Sequence, residues 1–337
     1  RLNELVSFYR NVPGATLPPS DLGPERLVIA ALLCNLGAGT SLLSPEEMAA
    51  IVPSSSPSSA ALRAAAARAS EFPRAARCEP SRPVLTQRTF TAGPDAVVDG
   101  VFYGALSQLH EGAAVDLRRR LQAASGAPAR PLRGIVLDLR SCPGGLLDEA
   151  RKVADLFLPA GRAYEIYNAR RRESQPEQTS TDDDDVKSPL IVLVDEATAS
   201  GCEVLAAALK ERGRALVMGA RTRGVGEFSM LFELPPAIGG MRLKVAHVRT
   251  AAGADLAGVG VAPDVAVGAP VPGARPLPNA TLSLEAPADP LALARFAAAA
   301  LRRARSGSRT DLLEAARQVS TEAPDKWVSA SPLGAPF

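Results

Sequence analysis

The sequence predicts an α/β fold, and three observations carry that reading. Short apolar runs at Ile135–Leu139, Leu190–Val194 and Ala215–Met218 have the length and branched-residue content of buried parallel strands. Helical periodicity follows the first two, over 146–158 and 201–211, which is the strand–helix alternation of a layered α/β core. The composition, 46% hydrophobic and 22% charged over 337 residues, suits a soluble chain with a sizeable core and room for about two domains.

Taken in order, residues 1–52 read as a helical arm. Leu2, Leu5, Val6 and Tyr9 sit at helical spacing, and Asp21 is placed to cap a helix through Leu27, Ala30, Ala31 and Cys34. In Ser44-Pro45-Glu46-Glu47, Ser takes the N-cap, Pro the first helical position and Glu the third. Residues 53–86 are rich in Pro, Ser, Ala and Arg and read as a linker with one short helix near 62–69.

The core is expected over 87–270. Val101, Tyr103, Ala105 and Leu109 suggest a strand entering a turn, and 113–124 an amphipathic helix with Val115, Leu117 and Leu121 on its apolar face. Leu147, Ala150, Val153, Ala154 and Phe157 share one face of the next helix. Residues 170–187, with the run Asp182–Asp185, read as a solvated loop, since a calcium loop would need a Gly and a distal Glu. Residues 231–234 and 241–248 look like a β-pair joined at Ile238-Gly239-Gly240. Residues 271–337 form a C-terminal extension: a Pro-rich run, a helix at 291–303 and a tail.

A net charge of +2 argues against a nucleic-acid-coating protein, and no apolar run reaches the roughly 18 residues of a membrane span. Four Cys in a chain this long are no disulfide scaffold. The chain opens on Arg1 rather than Met, as a trimmed start would, and shows no secretory signal. No cofactor motif is present, and none is expected. Basic residues are almost all Arg; the lysines are Lys152, Lys187, Lys210, Lys244 and Lys326.

The chemistry-bearing segment runs from strand 190–194 through Asp195-Glu-Ala-Thr-Ala-Ser200-Gly-Cys-Glu203 into a helix. A Ser at such a turn exposes its hydroxyl, and the first helical N–H groups lack intrahelical acceptors and can stabilise an oxyanion. Ser200 is equally well read as a plain N-cap. A second small-residue turn, Cys142-Pro143-Gly144-Gly145, also follows a strand, and parallel strands ending side by side would bring the two turns together.

Ile135-Val-Leu-Asp-Leu-Arg-Ser-Cys-Pro-Gly-Gly145 resembles the "L-D-L-R-x-N-P-G-G" segment of the carboxyl-terminal processing, or tail-specific, serine peptidases. Val194-Asp-Glu-Ala-Thr-Ala-Ser-Gly-Cys-Glu203 is similar to their "V-N-x-x-S/T-A-S-A-S-E". Leu36 to Glu47 resembles "L-D-P-H-S-S-Y-L-S-P-E-E", with Gly37-Ala38-Gly39 replacing Asp-Pro-His, and Gly258 to Val265 resembles "G-x-G-I-x-P-D-V". The resemblance implies a crotonase/Clp-like peptidase core, with the N-terminal arm of dimerisation type. It also implies a location in the bacterial envelope, the periplasm or another exported space.

On that resemblance Ser200 is the nucleophile position, and Gly201 with Gly144 or Gly145 supplies oxyanion donors. The family's lysine base, in "T-F-G-K-G", falls on Val225 of Thr222-Arg-Gly-Val-Gly226, and the Gln that orients it falls on Ser229. Valine cannot accept the Ser proton. None of the five lysines is well placed to replace it: Lys210, ten positions beyond Ser200, lies roughly 15 Å along a helix. His110 reads as a loop residue and His247 as a surface or packing residue. Arg223 is no base, but its guanidinium could bind a carboxylate such as a peptide C-terminus. Cys142 and Cys202, on turns that meet in the family's active site, would be either a disulfide stiffening or blocking the oxyanion region or two buried thiols.

Residues 53–86 also leave no room for the family's PDZ domain, which captures C-terminal peptides by strand addition. These departures predict an inactive pseudopeptidase that acts as a binding, scaffolding or regulatory subunit. It would engage protein or peptide segments as a homo- or hetero-oligomer, beside an active paralogue. The competing expectation is an active serine endopeptidase cleaving protein C-terminal regions, with Ser200 as nucleophile and an unconventional or partner-supplied base. A non-proteolytic enzyme on a related fold lacks any acyl-CoA or phosphate motif here.

Overall fold

Strands β3 (Val101–Ala105), β4 (Gly134–Asp138), β7 (Leu190–Val194), β8 (Ala215–Gly219), β11 (Val265–Val267) and β12 (Leu282–Leu284) run parallel in one sheet. A computed structural model of the chain describes residues 41–51, 60–61, 63–64, 95–126, 132–169, 171–180, 186–234, 239–268, 282–284 and 292–322. The expected helices before residue 41, the acidic run 182–185, the Pro-rich run after 270 and nearly all of the 53–86 linker lie outside the described residues. The chain divides into two units, one of residues 1–85 with 227–246 and one of 86–226 with 247–337.

In the larger unit the sheet order is β12-β11-β8-β7-β4-β3-β2, with β2 (Ala96–Val98) antiparallel at the edge. Every residue of β4, β7 and β8 is buried, which is why they read as unbroken apolar runs. Their side chains alternate between two faces. Val136, Ile191, Leu193, Leu216 and Met218 pack against α5 (Ala292–Arg303) and α6 (Arg309–Glu322). The helices between the strands follow in order: α2 (Ala113–Ser125), α3 (Leu147–Asp155) and α4 (Gly201–Glu211). Adjacent pairs of them pack together.

Three expectations are corrected. Val115 is 70% exposed, and the buried face of α2 is Ala113, Ala114, Leu117 and Leu121. Residues 173–179, read as loop, form strand β6 (Glu173–Thr179), paired antiparallel with β5 (Gly161–Asn168). Almost all of β6 is exposed, so backbone pairing makes it a strand while its sequence stays polar. Residues 309–322, read as tail, are helix α6, whose Leu312, Ala315, Ala316 and Val319 join the core at helical spacing.

The smaller unit holds β1 (Ser41–Leu43), α1 (Pro45–Ile51) and β9 (Glu227–Glu233), with residues 240–246 of β10 (Gly240–Thr250). β1 and β9 each pair with β10, and Leu43 packs on Met48 beside Gly240. Residues 247–250 of β10 pair with β5 in the larger unit.

Candidate active site

Two turns at the carboxyl ends of neighbouring parallel strands make the site, the position where α/β sheets place ligands. The β4 turn carries Cys142–Gly145 and the β7 turn carries Asp195–Ser200. Asp195 joins them: its carboxylate accepts the Ser141 N–H (2.9 Å), and also the N–H groups of Ala197 (3.1 Å) and Thr198 (2.9 Å). Thr198 Oγ1 donates to the Leu139 carbonyl (2.8 Å), and Ala199 N–H donates to the Cys142 carbonyl (2.9 Å). Cys142 and Cys202 are disulfide-bonded, with Cα atoms 6.3 Å apart.

Ser200 stands at the N-terminus of α4 with φ 52° and ψ −123°. A non-glycine residue there is strained by about 1–3 kcal/mol and persists only where its surroundings enforce it. A sharp strand-to-helix turn of this kind presents the nucleophile in α/β-hydrolases. Gly144 lies against it: a Cβ on Gly144 would come 2.6 Å from Ser200 Cβ and 3.0 Å from Gly201 N. Gly145 is equally confined, since a Cβ there would sit 2.2 Å from the Leu109 carbonyl oxygen. Leu109 N–H donates to the Gly144 carbonyl (2.9 Å) and Leu146 N–H to the Leu109 carbonyl (2.8 Å), which fixes the far side of this turn. Among the described residues, the N–H groups of Gly144, Gly145 and Gly201 donate no hydrogen bond. They are free donors on the two turns that meet at Ser200, the kind of group oxyanion stabilisation requires.

Glu203, which matches the Glu of the family segment and so favours the active reading, has a structural role that sequence reasoning passed over. It is 0% exposed, and its carboxylate accepts from the N–H groups of Ser200 (2.8 Å), Gly224 (2.6 Å) and Val225 (2.7 Å) and from Thr222 Oγ1 (2.5 Å). Burial pushes its carboxyl above the usual range, while those four hydrogen bonds pull the other way. Ser200 and Val225 donate to the same oxygen, Oε2, so the two positions are held side by side. The signal was present in the sequence: Ser200 to Glu203 is capping-box spacing. The loop rests on 256–261, with Gly258 N–H donating to the Gly224 carbonyl (2.8 Å) and Val261 N–H to Thr222 Oγ1 (2.7 Å).

The structure thus brings together Ser200, Gly201, Gly144, Gly145, Val225, Cys142 and Cys202. Arg223 joins them through its backbone, its N–H on the Thr198 carbonyl (3.0 Å), and its side chain is exposed with no partner among the described residues. Ser229 lies on β9 of the smaller unit, half-buried. Lys152 is held by Asp148 (2.7 Å) and Glu149 (3.0 Å), which raises its pKa, the opposite of what a lysine base needs. Lys210 is held by Asp264 (3.1 Å) and Lys244 by Glu227 (2.7 Å). His110 is exposed, its Nδ1 against the Glu111 carbonyl (2.9 Å), and His247 pairs opposite Tyr167 on β5. Among the described residues no group of side chains could hold a metal ion.

A strained serine at a strand-to-helix turn, beside a glycine turn with free backbone donors, is an arrangement a serine hydrolase could use on an α/β sheet. Residues 102–267 match the model of peptidase family S41. It is 34% identical over 148 residues to a carboxy-terminal-processing protease of Bartonella bacilliformis, covering 44% of this chain and 34% of that one. It is 37% identical over 138 residues to a carboxyl-terminal-processing protease of Synechocystis, covering 41% and 32%. The chain therefore spans about a third of the length of these relatives. A solved structure of a photosystem II D1 C-terminal processing protease aligns at 30% identity with a TM-score of 0.44, covering 49% of this chain and 42% of that one. Relatives come from bacteria and from chloroplasts, and among the described residues no helix is long and apolar enough to cross a membrane.

Proposed function

We propose that this chain is a tail-specific peptidase homologue that binds C-terminal protein segments at the Ser200 site without hydrolysing them. One observation carries the reading. Glu203 Oε2 holds the Val225 N–H beside the Ser200 N–H, and the side chain at that position is an isopropyl group with no titratable atom. The hydroxyl keeps its presentation, but among the described residues the Val225 position offers no titratable side chain to take its proton. What remains complements an anion: free N–H donors and the exposed Arg223 guanidinium suit the carboxylate of a peptide terminus. The chain would act as a binding, scaffolding or regulatory subunit, in a homo-oligomer or with an active paralogue. A buried disulfide supports a location in the envelope, the periplasm or another exported, oxidising space.

The test compares the wild-type chain with Ser200→Ala. The expected result is no Ser200-dependent peptide turnover and no fluorophosphonate adduct. A fluorescent peptide with a free apolar C-terminus should bind both, more weakly when its terminus is amidated or Arg223 is replaced by Ala. Ser200-dependent turnover by the unmodified chain would overthrow this reading. It would favour the second one, an active endopeptidase cleaving C-terminal regions with an unconventional or partner-supplied base. The strained φ of Ser200 supports that alternative, since a purely structural cap has no need of it.

A further inference from the structure

We infer that the Cys142–Cys202 disulfide is the positioning device of the Ser200 site, so that the donor turn stays assembled only in the oxidised chain. The inference rests on the reading above in taking the two turns as the ligand site. The two sulfurs bracket it: Cys142 lies two residues before Gly144 and Cys202 two residues after Ser200, and both are 0% exposed.

The need for a cross-link follows from what flanks it. Gly144 and Gly145 take φ of 105° and 140° and carry no side chains to anchor them, so their freedom when released is large. Backbone bonds to Leu109 secure one side of the turn. Toward the elbow its ties are the Ala199 N–H bond to the Cys142 carbonyl (2.9 Å), the Ser141–Asp195 contact (2.9 Å), the Thr198 Oγ1 bond to the Leu139 carbonyl at the base of the turn (2.8 Å) and the disulfide. The clearances are narrow, with a Gly144 Cβ position 2.6 Å from Ser200 Cβ and 2.8 Å from the Ala199 carbonyl oxygen. A small drift of this turn would carry its N–H groups away from the hydroxyl. Reduction by a dithiol breaks the S–S bond, leaves two thiols and converts the reductant to its disulfide, so the balance is two electrons and two protons.

The experiment is hydrogen exchange read by mass spectrometry on the whole chain, oxidised, reduced with dithiothreitol, and as the Cys142→Ala/Cys202→Ala variant. The expected result is exchange at least tenfold faster at 140–147 and 199–206 in both cross-link-free forms, with β7, β8 and α5 unchanged. Unchanged exchange at the two turns would overturn the inference. So would acceleration spread evenly over the sheet and helices, which would make the disulfide a brace of the whole fold. The readout needs no ligand. Local loosening without loss of peptide binding would therefore uphold the lock and count against the ligand-site reading alone.

Discussion

The nucleophile turn and the loop beside it are built to the same standard but carry different chemistry. At 195–203 the polar groups divide the work. Asp195 ties the turn, Ser200 is held at positive φ and Glu203 is satisfied by four donors. At 222–226 the backbone is equally well secured, by Glu203 from one side and by 256–261 from the other. Yet its key position presents only Val225. The loop's backbone is held whatever side chain stands at 225, because backbone hydrogen bonds do not depend on it.

Four changes would break or sharpen this contrast. The largest effect is expected from Val225→Lys, which places an amine beside the Ser200 turn. Ser200-dependent turnover, expected to be absent from the unmodified chain, should appear in a peptide cleavage assay, since gain of a general base is worth about 10²–10⁴-fold. Gly144→Ala acts on the other partner. A Cβ there meets Ser200 and Ala199 within 2.8 Å at φ 105°, and the loss should be about 2–4 kcal/mol in urea unfolding. Glu203→Gln should cost about 1–3 kcal/mol, because the amide turns donors toward N–H groups that need an acceptor.

The pH dependence separates the site from its support. Burial raises the Glu203 pKa, so its contribution to stability is fullest at acid pH and falls as pH rises through that raised value. Glu149 behaves oppositely. Burial pushes its carboxyl up, but hydrogen bonds from the Ala114 N–H (3.1 Å) and Lys152 (3.0 Å) outweigh this and leave it lowered. Its contribution is present above the ordinary glutamate range and lost as pH falls through the lowered value. Glu149→Gln, the smallest effect, should cost about 1 kcal/mol near neutral pH and flatten the acid limb of a stability–pH curve. Glu203→Gln should flatten the opposite slope.

Much of this was legible in the residues. Strands β4, β7 and β8 and helix α4 lie where the periodicity puts them, since wholly buried strands must be apolar and short. The turn motifs carried the peptidase family resemblance, which residues 102–267 bear out. Helix α6 was legible too, in the spacing of Leu312, Ala315, Ala316 and Val319, and was missed by reading past it. Strand β6 was not, because a polar edge strand declares itself only through its partner. Val115 was misplaced because α2 buries Ala113 and Ala114 at its start, and small alanines give a weak signal.

The sequence by itself determined the layered α/β class, the serine at a strand-to-helix turn and the absence of a titratable side chain at residue 225. Those properties follow from residue type and local spacing. Only the tertiary structure decided that Glu203, which local spacing marks as a helix cap, spans from the nucleophile turn to the Val225 loop. It also decided that Cys142 and Cys202, 60 positions apart, close a bond across the site. Both depend on parallel strands ending side by side, and that juxtaposition comes from sheet pairing rather than from any one stretch of sequence.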